Sequence, residues 1–154
     1  MAEDKKEHRT ISEEYAEMAQ KIIQKEFLLT DIRHSEATII YLSSDKPKTS
    51  KGRAVCGECE KIPDKYKWAI PADFTITIYD PNVVTFTKEQ MEILLFHELL
   101  HVGIELQGDG SEKYSVRPHD IEDFKEIVRR YGIDWDAPQW EAIDGTGEEG
   151  QTTE

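Results

Sequence analysis

TKEQMEILLFHELLHVGIE, running from Thr87 to Glu105, is the stretch on which the fold turns. Thr87-x-x-Gln90 is a capping box, in which the hydroxyl and the amide satisfy backbone N–H groups at a helix start. From Lys88 to about Glu105 apolar residues then fall on nearly every side: Met91, Ile93, Leu94, Leu95, Phe96, Leu99, Leu100 and Val102. Such a pattern predicts a helix buried in the protein rather than lying on its surface. Three polar side chains interrupt it, in the order His97-Glu98-Leu99-Leu100-His101.

Working outward, the residues before this helix read as strands. Phe74, Ile76 and Ile78 alternate with Thr75, Thr77 and Tyr79 between Asp73 and Tyr79, the clearest strand in the chain, which ends at the turn Asp80-Pro81-Asn82. Ala37 to Leu42 and Arg53 to Glu60 are further strand candidates, with the polar segment Ser43 to Gly52 as the loop between them. Earlier still, Thr10-Ile11-Ser12-Glu13 resembles a capping box. Ile11, Tyr15, Met18 and Ile22 follow as one apolar helical face, predicting a helix from there to about Leu29.

After the central helix, Gly108-Asp109-Gly110 turns the chain, and Lys113 to Arg117 is a short strand. Pro118 is placed to open a last helix with a buried face of Ile121, Phe124, Val128 and Tyr131 and a stop at Gly132. The whole reads as an α+β fold: an N-terminal helix, a small, mostly antiparallel sheet, a buried helix and a C-terminal helix. The expected organisation is one domain over residues 1–140 and an acidic, disordered tail over 141–154.

The 154 residues carry 32 acids against 19 bases, a formal charge of -13 that repels nucleic acid and anionic membrane surfaces at long range. Seven of those acids fall between Asp134 and Glu154, where there is no Lys or Arg, so the body is only mildly acidic. No stretch approaches the roughly 20 apolar residues of a membrane span, and the first ten residues lack the pattern of a secretory signal. These features predict a cytoplasmic protein without nucleic-acid or membrane partners; oligomeric state is not legible. Cys56 and Cys59 have CxxC spacing, but with no second such pair they read as part of a strand rather than a zinc site. His8 and His34 read as surface residues.

Histidines four apart on a helix share a face, so His97 and His101 can both reach one Zn²⁺ at about 2.0 to 2.1 Å. Glu98 points to the neighbouring side, where a carboxylate can reach a water without ligating the metal. Left without partners among apolar neighbours, these side chains would each cost about 1 to 3 kcal/mol; a metal removes that difficulty. A zinc site needs a third protein ligand. Position 104 is Ile and position 107 is Gln, which excludes the metzincin pattern. His119 is the best candidate, with Glu122, Asp120 or Asp123 as alternatives and Glu105 too far along the same helix to serve. Tyr114, Arg117 or Tyr131 could donate to an oxyanion, and Asp123 could hold an imidazole N–H.

Three segments together resemble the phage-type metallopeptidases, small HExxH proteins of SprT-like layout: CEKIPDKYKWAIPADFTITIYDPN (Cys59 to Asn82), FHELLHVG (Phe96 to Gly103) and RPHDIEDFKEIVRRYGIDW (Arg117 to Trp135). The resemblance implies a minimal zincin-like fold with the strands ahead of the catalytic helix. It implies His97, His101 and His119 as zinc ligands and Glu98 as the catalytic residue. The expected function is hydrolysis of a peptide or protein substrate by a zinc-activated water, with Glu98 as general base. The alternative is a catalytically silent zinc-binding module that engages a host or partner protein.

Overall fold

The structure is a computed structural model and describes residues 6–122 and 124–134. The chain divides into two units, Met1–Pro118 and His119–Glu154. The predicted acidic tail, 141–154, and Asp123 lie outside the described residues.

The first unit opens with strand β1 (Arg9–Ile11) and helix α1 (Glu13–Lys25). Thr10 does not cap this helix, because it is paired with Ser43 of a neighbouring strand. Ser12 caps it instead, accepting a hydrogen bond from the Tyr15 N–H at 3.1 Å. Ile11 accordingly leaves the helical face and is exposed. The helix stops at Lys25 rather than near Leu29; a single 3₁₀ turn (Phe27–Leu29) and the short α2 (Thr30–Arg33) follow. Strand β2 (Ile39–Ser44) comes next, then a minimal hairpin, β3 (Thr49–Ser50) and β4 (Arg53–Ala54), inside what composition reads as loop. Strands β5 (Gly57–Lys61) and β6 (Phe74–Tyr79) complete a four-stranded sheet ordered β1-β2-β6-β5. The β2–β6 pair at its centre is parallel, and the other pairings are antiparallel.

The alternation of β6 sets its two faces. Phe74, Ile76 and Ile78 are completely buried and form a core with Ala19, Ile22 and Ile23 of α1 and with Leu95 and Leu99 of the next helix, α3 (Lys88–Leu100). On the other face Thr77 and Tyr79 are buried beneath charged side chains. Arg9 Nη1 donates to Thr77 Oγ1 at 3.2 Å, Arg9 Nη2 to the Tyr79 hydroxyl at 3.1 Å, and that hydroxyl to Glu58 Oε1 at 2.6 Å. Lys48 Nζ pairs with the other Glu58 oxygen.

Helix α3 starts as expected, with both halves of the Thr87/Gln90 capping box formed. It is not buried all round, since Ile93 is 63% exposed. Nor does it reach Glu105: the chain becomes strand β7 (Val102–Leu106), paired antiparallel with β8 (Glu112–Val116). Val102, Ile104 and Leu106 have the period of a strand, and Gly103 allows the close pairing. A Cβ at Gly103 would lie 2.9 Å from the Ser115 carbonyl oxygen, a contact that backbone cannot relieve cheaply.

In the second unit, helix α4 (Lys125–Tyr131) begins seven residues after Pro118 and ends at Gly132. Its start is later than the proline suggests, and Ile121, Phe124 and Tyr131 are exposed rather than buried. Among the described residues no helix is long and apolar enough to cross a membrane.

Candidate metal centre

His97 and Glu98 occupy the last turn of α3, and His101 is its C-cap with φ -75° and ψ -15°, so the four-residue spacing keeps helical geometry to the end. The two imidazoles stand side by side, with ring centroids 5.2 Å apart and planes at 68°.

The β7–β8 hairpin fixes His101 by bringing Arg117 back beside the helix end. The Arg117 N–H donates to the His101 carbonyl at 2.7 Å, and His101 Nδ1 lies 2.5 Å from the Arg117 carbonyl oxygen. A carbonyl can only accept, so Nδ1 carries the proton and Nε2 holds the lone pair that a metal needs. The Arg117 guanidinium is itself committed, with Nη2 donating to the Val102 carbonyl at 3.0 Å. The Tyr114 hydroxyl donates to Glu112 at 2.6 Å, so it too is engaged elsewhere.

Among the described residues, one set of His, Cys, Asp or Glu side chains brings three ligand atoms within 4.8 Å of one another, and it consists of His97, His101 and His119. This histidine triad could hold a metal ion. Asp120 and Glu122 are exposed and outside the set, and Glu105 sits on β7 opposite Lys113. His8 and His34 are exposed, as expected.

Glu98 is only 4% exposed. Burial, and secondarily the charge of Glu58, push its carboxyl up to about 7. Among the described residues no hydrogen bond reaches this carboxylate, an arrangement that is costly unless something else occupies it. Its place is shaped by Gly57, where a Cβ would lie 3.2 Å from Glu98 Oε2 and 3.3 Å from its Cγ. The two cysteines are free and partly buried. Burial first, then Glu98 and Glu60, raise the Cys59 thiol to about 12, which disfavours the thiolate a metal would require.

A cleft of about 550 Å³ opens beside Glu98 and His97. One wall is Val55, Cys56 and Gly57 at the start of β5; the other is Gln90, Ile93 and Leu94 of α3, with Phe86 from the turn before it. Sequence reading assigned Ile93 and Leu94 to a core and did not find this cleft. The available signal is that Gln90, Ile93, Leu94 and His97 share one helical face by their three- and four-residue steps.

A family model described as "Putative phage metallopeptidase" matches residues 7–143. No curated protein and no solved structure gives a significant match.

Proposed function

From the premise that this chain belongs to the phage metallopeptidase family, we propose that it is a zinc-dependent peptidase of minimal zincin-like architecture. In this reading His97, His101 and His119 hold the metal and Glu98 is the general base. Three imidazoles suit zinc and leave a fourth position open, the arrangement of catalytic rather than structural sites. A zinc ion held there supplies a Lewis acid for the peptide carbonyl and makes water acidic enough to react near neutral pH.

The chain's own residues do the rest. Glu98 takes a proton from the attacking water as the C–O bond forms. It then passes that proton to the nitrogen as the C–N bond breaks, leaving a free amine and a carboxylic acid, whose own proton ionises to the amine or to solvent. Burial raises the Glu98 carboxyl to about 7 in the metal-free protein, and a zinc ion held beside it would favour the charged form that can accept a proton. His101 is kept in one tautomer by the Arg117 carbonyl, so no reorientation is needed when metal binds.

The observation that carries this reading is Glu98, a carboxylate buried at 4% exposure without a hydrogen-bond donor among the described residues and next to the paired imidazoles. A protein that only bound metal would have no use for it. The test is peptide hydrolysis with metal removed and restored: activity is expected to vanish with a chelator and return with one Zn²⁺ per chain. In the same assay His119→Ala should weaken zinc affinity by about 10-fold or more. Hydrolysis unaffected by chelation would refute the reading.

A further inference from the structure

The cleft beside Glu98 has a composition of its own. Apart from His97 and Glu98 its lining carries no charged side chain, and Val55, Phe86, Ile93 and Leu94 are apolar. Ile93 is 63% exposed, on a helix that buries Leu95 and Leu99 completely. The volume of about 550 Å³ lies within the range of about 300 to 1,000 Å³ that small-molecule sites occupy, room for one large side chain and its adjoining backbone. This space adjoins the proposed reacting groups themselves, because Glu98 and His97 are part of its lining.

We propose that this cleft receives a large apolar side chain, aliphatic or aromatic, from the residue next to the scissile bond, and that Ile93, Leu94 and Phe86 set that preference. The inference rests on the peptidase reading for the bond that is cut, and adds the class of substrate. An acidic side chain would enter a largely apolar space and face Glu98, with no lysine or arginine in the lining to compensate. A lysine could reach Glu98, but would then compete with water for the carboxylate. An apolar side chain loses nothing by desolvation and covers the exposed methyl groups of Ile93. Gln90, the remaining polar side chain, already accepts from the Thr87 N–H through Oε1, so it adds no charge.

Two measurements keep this inference separable from the peptidase reading. In the first, zinc-loaded protein digests a peptide library; cleavage is expected next to Leu, Ile, Met, Phe or Tyr at least about 10-fold more often than next to Asp, Glu or Lys. Ile93→Asp, a change at an exposed position that should spare the fold, is expected to erase that bias and admit Lys or Arg. In the second, methyl NMR signals of Ile93 and Leu94 are followed in metal-free protein on adding capped tetrapeptides that differ only in a central Leu or Asp. The Leu peptide should shift these signals saturably and the Asp peptide should not.

Cleavage without side-chain preference, or favouring charged residues, overturns the inference and leaves the peptidase reading standing. Selective methyl shifts from a protein that cleaves nothing support the apolar cleft and count against the peptidase reading. Methyl signals that ignore both peptides overturn the inference.

Discussion

The two faces of the central sheet each hold a glutamate, and the two are treated in opposite ways. Glu58, on the face away from the helices, is clasped by Lys48 and by the Tyr79 hydroxyl, and these partners hold its carboxyl below the usual range despite partial burial. Glu98, on the helix side, is more deeply buried, has no donor among the described residues, and is pushed up to about 7. The contrast separates an acid clasped by its neighbours from one that no described donor reaches. A carboxylate satisfied by neighbours has its charge fixed and its lone pairs occupied, whereas one left unsatisfied in a dry place can take up a proton.

That comparison can be broken from either side. The largest expected effect on stability is in the apolar core that α3 packs against. Leu95 is completely buried, so Leu95→Ala should cost about 2 to 5 kcal/mol in chemical denaturation; a loss below 1 kcal/mol would mean that the helix face is not packed as described.

A smaller change tests the position of Glu98 itself. Gly57→Ala would press a methyl group against the carboxylate. Since even an ångström of displacement can cost about 100-fold in rate, a shift of a few tenths should lower hydrolysis by about 10-fold at unchanged zinc content. Unchanged hydrolysis would show that the carboxylate can yield without consequence.

The smallest effect belongs to the satisfied acid. Glu58→Gln should cost about 1 kcal/mol at neutral pH, the scale of one partly exposed charge-assisted bond. Because the pKa of Glu58 is lowered by folding, its stabilisation is full above the ordinary glutamate value and fades as pH falls through the lowered one. The wild type should therefore lose stability on acidification more steeply than the variant, as urea midpoints between pH 6 and 3 would show. Parallel midpoints would deny Glu58 its structural role.

Much of this was legible in the residues. The alternation from Phe74 to Ile78 predicted the central strand and its buried face, and the Thr87/Gln90 capping box predicted the start of α3, because both signals are local. The end of α3 was not legible: Val102 and Ile104 continue an apolar run that suits helix or strand equally, and only pairing with β8 decides. Thr10 misled for a similar reason, since a hydroxyl ahead of a helix is also free to join a strand, and β2 claims it. The HExxH spacing brought out Glu98 and two imidazoles. The cleft was hidden because it depends on β5 approaching α3, and nothing in Gly57 or Ile93 alone announces that contact.

The central claim is that Glu98 acts on water and does not hold the site together, and Glu98→Gln tests it most directly. Glutamine keeps the size of the side chain but cannot accept the proton. Measured on the same samples, zinc content and melting temperature should match the wild type while peptide hydrolysis falls by about 100-fold or more. A variant that holds zinc and still cleaves at the wild-type rate would contradict the account.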